Sequence, residues 1–552
     1  MSTKSNYKRE EINSGNKAFS PSRTTIETAF YGNNVEKITD LKLAYEMAKN
    51  TKGTVVTDMP VFMPEKSGLP ENAKVLLFND GEIVGRFAGA RVILGEPVTD
   101  EGEITKVLRE AAYFTRYKKM YHTSAYIGLD PDFMIKANLL IPETYENTLY
   151  NWLLNFQIMT PLYDEMYKKS KPVGDEPDIY ILSDPDYYHP KFPNGLAYFD
   201  PEHNCACLLG MRYFGEHKKG TLTIAWGVAN RNKYTSCHGG LKRMVKKNGE
   251  AYVMGVFGLS GSGKSTLTHA KHDGKYDVTV LHDDAYVISN EDGTSVALEP
   301  SYFDKTQDYP LTAGDNKYLI TVQNCGVTLD SDGKKVIVTE DIRNGNGRAI
   351  KSKLWAANRV DKMDDPINAI FWLMKDPSLP PVIKLDDPVI ASIMGACLAT
   401  KRTTAERLAE GVDMNALVFE PYANPFRTYP LCQDYEKFKS LFESGVDCYI
   451  LNTGQFITKN IPKEVTIGII ESIVDGTAEF KSLGRLEDIE TMDVEGFVPN
   501  FKDKNYVDII DVSMKKRIEF VDSLQVAKSG RDNLPDEAVN ALHLLLLRIK
   551  SL

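Results

Sequence analysis

The sequence predicts a mixed α/β (α+β) fold with two domains, and three observations support this prediction. Helical and strand-like hydrophobic patterns are interspersed along the chain, which indicates a mixed architecture. Turn dipeptides such as Asp-Gly, Asn-Gly and Gly-Gly separate these patterns. The 552 residues are 42% apolar, which is enough for more than one buried core. We predict domains at 1–235 and 236–552, because a new strand–loop–helix unit starts just after residue 235.

The individual elements follow from the periodicity of the apolar residues. Amphipathic patterns predict helices at 39–50, 143–159 and 535–550. Short apolar or alternating runs predict strands at 73–79, 91–97, 177–184, 205–210, 221–227, 251–258, 276–284, 334–341 and 369–375. The polar residues 1–25 are expected to form a flexible leader.

Charge, hydropathy and cysteine content argue against several classes of protein. A net charge of −10 does not suit a general nucleic-acid binder, which needs clustered excess lysine and arginine. The chain shows no apolar run long enough for a membrane span and no apolar core of a secretory signal. Its seven cysteines are scattered and lack C-x-x-C pairs, which argues against a disulfide framework and a cysteine-ligated zinc site. We therefore expect a cytoplasmic protein.

A glycine-rich loop is the strongest motif in the sequence. GLSGSGKS, from Gly258 to Ser265, fits G-x-x-x-x-G-K-[ST] and lies between a buried strand pattern and a helical one. Such a loop points its backbone amides at phosphate groups, its lysine adds a cation, and its last hydroxyl can bind a divalent ion. The alternative is a glycine-rich turn that binds nothing. The predicted nucleotide-binding residues are Gly258, Leu259, Ser260, Gly261, Ser262, Gly263, Lys264, Ser265 and Thr266.

Two further groups of polar residues are candidates for metal binding. Asp283 and Asp284 end the strand pattern that follows the loop, where a nucleotide-binding fold places a metal-holding carboxylate. A solvated turn is the alternative interpretation. Lys218 and Lys219 precede the predicted strand 221–227, and His238 follows. An adjacent lysine pair is usually a solvated surface, but a lysine beside a second cation and a metal can lose its proton and become a ligand.

Taken together, these segments resemble the ATP-dependent phosphoenolpyruvate carboxykinase family. That family carries Y-x-G-E-M-K-K-G, S-M-H-C-S, G-L-S-G-T-G-K-T-T-L and I-G-D-D-E-H-G in this order. This chain has YFGEHKKG, SCH, GLSGSGKSTL and LHDD in the same order, with a short insertion between the histidine and the loop. Weaker similarities lie at Gly85-Arg86, Glu299, Lys305-Thr306, Thr339–Arg343, Glu420-Pro421, Pro425-Phe426 and Asn452–Gly454.

The resemblance implies a two-domain carboxykinase fold whose C-terminal domain binds the nucleotide and whose N-terminal domain binds the substrate. It implies that Lys219, His238 and Asp284 hold Mn²⁺, and that Ser265 helps to hold Mg²⁺. Tyr213 and Arg86 would face oxaloacetate or phosphoenolpyruvate. Lys218 and Lys264 would neutralise the transferred phosphoryl group, and Arg343 would bridge it to the substrate. Glu299 would join the nucleotide-binding residues.

The implied reaction converts oxaloacetate and ATP to phosphoenolpyruvate, ADP and CO₂, a step of gluconeogenesis or anaplerosis. The implied partners are therefore small molecules, with no nucleic acid or membrane, and the protein would be a monomer or a small homo-oligomer. The chain departs from the family pattern after Arg86 (FAGAR), after Asp284 (AYV) and after Arg343 (NGNGR). These departures keep two alternatives open. One is a related kinase with another acceptor, for which Asp283 is the candidate base, and the other is a catalytically silent nucleotide-binding protein.

Overall fold

The computed structural model describes residues 1–79, 88–97, 101–259, 261–306, 310–340, 347–401 and 417–550. The chain divides into two compact units, which are described separately below. Unit 1 contains Met1–Asn232 and Val296–Ala357, and unit 2 contains Lys233–Ser295 and Asn358–Leu552. The sequence predicts one boundary near 235, so the division differs from the prediction in the segment 296–357, which belongs to unit 1. The local amino-acid composition does not indicate that this segment belongs to the first unit.

The secondary structure follows a mixed order along the chain. The α-helices of the described residues are α1 Pro21–Ala29, α2 Leu41–Asn50, α3 Glu101–Phe114, α4 Glu146–Asn155, α5 Pro161–Lys169, α6 Phe214–Arg231, α7 Lys264–Thr268, α8 Pro388–Ala396, α9 Leu431–Glu443, α10 Lys463–Asp475, α11 Lys504–Val526 and α12 Asp536–Lys550. The strands of the first part of the chain are β1 Val35–Lys37, β2 Val55–Pro60, β3 Lys74–Phe78, β4 Arg91–Ile93, β5 Met120–Asp130, β6 Phe133–Pro142, β7 Gln157–Ile158, β8 Ile179–Asp184, β9 Leu196–Asp200, β10 Cys205–Leu209, β11 Tyr234–His238, β12 Gly240–Val245, β13 Ala251–Phe257, β14 Asp277–His282, β15 Ala285–Ser289 and β16 Ser295–Ala297. The later strands are β17 Tyr302–Lys305, β18 Leu319–Gln323, β19 Gly326–Leu329, β20 Lys335–Val338, β21 Arg348–Lys351, β22 Lys362–Met363, β23 Ala369–Met374, β24 Val382–Leu385, β25 Ala399–Lys401, β26 Leu417–Phe419, β27 Asp447–Asn452, β28 Gln455–Phe456, β29 Lys459–Asn460, β30 Phe480–Leu483 and β31 Leu486–Met492.

Unit 1 is built on two sheets. The larger has the order β1-β5-β6-β8-β10-β9-β4, with β7 paired to β5, and the five-stranded sheet has the order β17-β21-β18-β3-β2. The predicted strand at 205–210 is confirmed as β10, and Cys205 and Cys207 on it are fully buried. Every residue of β10 is buried, so both faces of the strand are covered and its run CACLL is apolar throughout rather than alternating.

Unit 2 is built on a large sheet with the order β14-β12-β13-β23-β27-β24-β31-β30. Its centre is parallel, because β13 pairs with β23 and β23 pairs with β27 in the same direction. The runs AYVMGVF and AIFWLM are almost entirely buried, as parallel strands covered on both faces require. The carboxyl end of a central parallel strand is where such sheets bind ligands, and β13 ends directly before the glycine-rich loop.

One predicted element has the wrong secondary structure. Residues 221–227 are predicted as a strand but lie inside helix α6, so Lys218 and Lys219 are helical residues too. Nearly all of α6 is buried, and its apolar residues are therefore not confined to one face. A short run such as TLTIAWG then gives no periodicity that distinguishes a buried helix from a strand.

The predicted flexible leader is also corrected. Ser2 and Thr3 are buried, and the Thr3 hydroxyl donates a hydrogen bond to Asp178 Oδ1 over 2.7 Å. The backbone of Lys4 donates to the carbonyl of Glu176, and helix α1 begins at Pro21 behind the N-cap Ser20. A polar terminus is ordered when its small side chains satisfy buried partners, which local composition does not reveal.

Two chain-wide observations bear on the class of protein. All seven cysteines are free thiols, and six of them are buried. No helix among the described residues combines the length and the apolar content that crossing a bilayer requires.

Candidate active site

The glycine-rich loop of unit 2 connects the end of β13 to the short helix α7. Gly263 has φ +92°, a conformation that favours glycine, and it precedes Lys264, the first residue of α7. A Cβ atom on Gly258 would lie 2.3 Å from Ser262 Oγ and 2.9 Å from Leu373 Cβ, so this position has no room for a side chain. Glycine is therefore required for backbone conformation at residue 263 and for space at residue 258.

A second segment fixes the loop from outside. The Thr453 hydroxyl donates to the carbonyl oxygen of Ser262 over 2.7 Å. Ser265 and Thr266 are exposed on the first turn of α7, while Lys264 is half-buried. Within the loop, the Ser262 amide donates to the carbonyl oxygen of Leu259 over 3.0 Å, so this amide is used internally, while the side chains of Ser265 and Thr266 are exposed.

Asp283 follows strand β14, as the sequence predicts, and packs against the end of α7. Its Oδ2 lies 3.4 Å from His269 Nε2, and His269 is the C-cap of α7. Burial alone would raise the pKa of the Asp283 carboxyl, but the contact with His269 and the charges of His269 and His282 hold the pKa below the ordinary aspartate value. Asp283 is therefore an ionised group that ties the phosphate-loop helix to the end of β14.

Asp284 and His238 lie side by side at the β11–β15 pair. His238 is opposite Ala285 in the antiparallel register, and its Nε2 lies 3.0 Å from Asp284 Oδ1. His238 Nδ1 donates a hydrogen bond to the carbonyl oxygen of Ala423, which leaves the lone pair on Nε2. Two acceptor atoms at this distance repel each other unless a proton or a cation lies between them.

The carbonyl that orients His238 comes from a strained turn. Tyr422 and Ala423 have φ values of +52° and +54°, which are unfavourable for residues with a side chain. The ring of Tyr422 stacks on Phe438 at 4.7 Å, so packing holds the turn in place. A histidine whose second nitrogen bonds a carbonyl, facing a carboxylate, offers two of the donor atoms that a divalent-metal site needs. Within the described residues, no three His, Cys, Asp or Glu side chains form such a site, and the predicted third ligand is a lysine.

In unit 1, the lysine pair lies on the first turns of α6. Lys218 Nζ and Glu299 Oε1 are 2.9 Å apart, and both side chains are fully buried. Asn155 donates to the other oxygen of Glu299 over 2.6 Å. A buried charge is tolerated only with such partners. Lys219 is half-buried, and its Nζ lies 5.7 Å from the centre of the Trp226 ring.

His217 replaces the methionine of the family motif and lies in the interior of unit 1. Its Nε2 lies 2.8 Å from the hydroxyl oxygen of Ser183, and its side chain is fully buried. Burial lowers the pKa of His217 to about 4, so the ring is neutral near pH 7.

Tyr213 precedes α6 and contacts an arginine that the sequence analysis does not single out. Arg348 Nε donates to the Tyr213 hydroxyl oxygen over 3.1 Å. Arg348 belongs to NGNGR, one of the segments that depart from the family pattern, so the motif comparison directs attention away from it. The Ala423 carbonyl and His269 are likewise absent from the predicted set, because contacts between residues distant in sequence leave no motif.

Three predicted residues, Arg86, Ser260 and Arg343, lie outside the described residues. The others divide between the units. Lys218, Lys219, Tyr213 and Glu299 belong to unit 1, and the phosphate loop, His238, Asp283 and Asp284 belong to unit 2.

Comparison with known proteins gives a consistent result. A sequence model of the family described as phosphoenolpyruvate carboxykinase matches residues 95–495. The phosphoenolpyruvate carboxykinase (ATP) of Aeropyrum pernix is 27% identical over 342 residues, which cover 58% of this chain and 68% of the relative. The enzyme of the same description from Kluyveromyces lactis is 22% identical over 462 residues, which cover 75% of this chain and 79% of the relative. The chain therefore belongs to the ATP-dependent phosphoenolpyruvate carboxykinase family.

Proposed function

We propose that this protein converts oxaloacetate and ATP to phosphoenolpyruvate, ADP and CO₂. The contact of His238 Nε2 with Asp284 Oδ1 at 3.0 Å carries the proposal. This pair would supply a nitrogen and an oxygen donor to a divalent metal, in the same unit as the glycine-rich loop and in a chain of this family. The donor set fits Mn²⁺, with Lys219 as the third proposed ligand.

The phosphate loop would bind the nucleotide. The loop amides and Lys264 would hold the terminal phosphates of ATP, and the exposed hydroxyl of Ser265 would help to hold Mg²⁺. The Thr453–Ser262 hydrogen bond supports this role, since it fixes the loop before the nucleotide arrives. Preorganised donors cost no rearrangement during the reaction.

In the first half of the reaction, the bond between C3 and C4 of oxaloacetate breaks and CO₂ leaves. Its electron pair moves into the enolate of pyruvate, whose oxygen becomes negative. Bound divalent metals would act as Lewis acids toward this oxygen and the phosphates. Tyr213 and Arg86 would orient the acid, and the half-buried Lys219 would lie on the substrate side of helix α6.

In the second half, the enolate oxygen attacks the γ-phosphorus of ATP and ADP leaves. Lys264 and Arg343 would spread the charge of the loose transition state. Lys218 is paired with Glu299. The two together would therefore act on the transition-state charge as a neutral ion pair and not as a single cation. The enolate needs no general base, which agrees with the lowered pKa of Asp283, since such a carboxylate is a weak base.

A coupled assay tests the proposal. Purified protein with Mn²⁺, Mg²⁺, ATP and oxaloacetate is expected to form phosphoenolpyruvate. Lys219→Ala, His238→Gln and Asp284→Asn are each expected to reduce kcat at least about 100-fold, because each removes a proposed metal ligand. His543→Gln is the matched control, because this exposed histidine pairs with Asp522 at the surface of unit 2, and it should leave kcat unchanged.

Two results would contradict the proposal. One is a folded, ATP-binding protein that forms no phosphoenolpyruvate. The other is consumption of ATP that does not depend on oxaloacetate, which would point to another phosphoryl acceptor.

A further inference from the structure

The five-stranded sheet of unit 1 carries two cations side by side. In the antiparallel register, Lys305 of β17 is directly opposite Arg348 of β21, and Gln323 of β18 is opposite Arg348 on its other side. Directly opposite residues project from the same face of a sheet, about 5 Å apart.

This face of the sheet packs on the start of helix α6. Phe303 lies two residues before Lys305 and therefore on the same face, and its ring contacts that of Phe214 at 5.3 Å. Lys218 Nζ lies 5.5 Å from the centre of the Phe303 ring. Arg348 and Lys305 thus belong to the surroundings of Tyr213 and the lysine pair.

Arg348 differs from the other cations of this region in its partners. Its Nε donates to Tyr213 and its Nη1 donates to the carbonyl oxygen of Gly347 over 2.8 Å. Nearby, Arg91 faces Glu216 at 3.5 Å and Lys218 faces Glu299 at 2.9 Å. Within the described part of the chain, no carboxylate pairs with Arg348, although its side chain is half-buried.

The hydrogen bond to Tyr213 also determines where that hydroxyl can donate. Because the Tyr213 oxygen accepts from Arg348 Nε, its own hydrogen points away from the guanidinium toward another acceptor. Arg348 Nη2 has donors left as well. A phenol and a guanidinium that present donors side by side match the two oxygens of a carboxylate.

We propose that Arg348, together with Tyr213, binds a carboxylate group of the substrate acid and so helps to select that acid. This inference rests on the proposed function, and it assigns a substrate contact to Arg348, which lies where the chain departs from the family pattern. Arg348 would then provide a substrate-binding cation at a place where the sequence differs from the family pattern.

Steady-state kinetics of Arg348→Gln and Arg348→Lys test the proposal. Loss of charge-assisted hydrogen bonds should raise KM for oxaloacetate about 10- to 100-fold in Arg348→Gln. KM for ATP should stay within about twofold of wild type. KM for oxaloacetate in Arg348→Lys should lie between the values of Arg348→Gln and wild type, because lysine keeps the positive charge but cannot donate two parallel hydrogen bonds as a guanidinium does. Arg116→Gln is the matched control, because this exposed arginine lies over the rings of Tyr113 and Tyr117.

A double-mutant cycle with Tyr213→Phe tests whether Arg348 and Tyr213 bind the same carboxylate. The effects on KM for oxaloacetate should be non-additive if the two side chains hold one carboxylate. Additive effects, an unchanged KM for oxaloacetate in Arg348→Gln, or a raised KM for ATP alone would each overturn the inference while the proposed function stands.

A binding measurement keeps the inference testable if the wild-type protein forms no phosphoenolpyruvate. Malonate and inorganic phosphate then serve as probes in thermal unfolding of the wild type, Arg348→Gln and Arg116→Gln. A malonate-induced rise in Tm that only Arg348→Gln loses supports a carboxylate site. Equal malonate shifts in all three proteins, or a shift with phosphate alone, would overturn it.

Discussion

Lys218 and Glu299 form a buried ion pair whose energetics can be measured apart from catalysis. Removing one partner of such a pair leaves an uncompensated charge in a fully buried site. We expect Lys218→Met to lower the free energy of unfolding by about 3–5 kcal/mol, and Lys218→Met/Glu299→Met to recover much of that loss. Urea denaturation measures both.

The control for this pair is an exposed one on helix α5. Lys168 and Glu165 are 2.7 Å apart, with 62% and 59% of their side chains exposed, so Lys168→Met should cost much less stability than Lys218→Met, because solvent screens an exposed pair. Equal losses for Lys218→Met and Lys168→Met would show that burial of the first pair does not govern its contribution.

His122 makes unit 1 sensitive to acid. Burial lowers its pKa to about 4, with a further lowering by the charges of Lys37 and Lys136 against a raising contact with Asn138. The unfolded chain has an ordinary histidine pKa of about 6.5 and therefore binds more protons than the folded chain between these values. Stability should fall as the pH drops from about 6.5 to about 4. In His122→Gln, the slope of Tm against pH over this window should be smaller, and an unchanged slope would contradict the assignment.

Strand β12 and helix α7 are packed so closely that one methyl group should separate them. A Cβ atom on Gly240 would lie 1.9 Å from Thr268 Oγ1, which donates to the carbonyl of Lys264. Gly240→Ala should therefore lower the free energy of unfolding by about 1–3 kcal/mol and weaken ATP binding. Both are measurable by denaturation and calorimetry.

The matched substitution on helix α10 should stabilise the protein instead of destabilising it. Gly468 is exposed, and an added Cβ meets nothing within 4 Å, so Gly468→Ala should raise the free energy of unfolding by about 0.5–1 kcal/mol. Destabilisation by both substitutions would mean that backbone effects of alanine, rather than the contact with Thr268, dominate at Gly240.

The elements that sequence analysis predicts well are those whose signal is local. Strand β13 carries an apolar run and is confirmed in the structure, and helix α7 begins at Lys264, directly after the glycine-rich loop. Helix α6 has no such local signal, because burial on all sides removes the periodicity of its apolar residues. The hydrogen bonds from His238 to Ala423 and from Arg348 to Tyr213 each join residues more than a hundred positions apart, and no spacing within one sequence reports such contacts.

The match to the family over residues 95–495 includes residues of both compact units. Binding of Mn²⁺ by His238 and Asp284 can be tested without measuring catalysis. A ligand that binds only the folded state stabilises it by about 2.7 kcal/mol at a concentration about 100 times its Kd. Mn²⁺ should therefore raise Tm of the wild type and of the control His543→Gln.

The same metal should have little effect on the variant that lacks the imidazole ligand. In His238→Gln, the amide cannot supply the Nε2 lone pair that the Ala423 carbonyl fixes in the native ring, so the Mn²⁺-induced rise in Tm should be lost. The rise produced by ATP with Mg²⁺ should persist in this variant, because the phosphate loop is intact, and should be lost in Lys264→Met. Differential scanning calorimetry with and without each ligand separates the two sites. A full Mn²⁺ shift in His238→Gln would remove His238 from the metal site while leaving the nucleotide site in place.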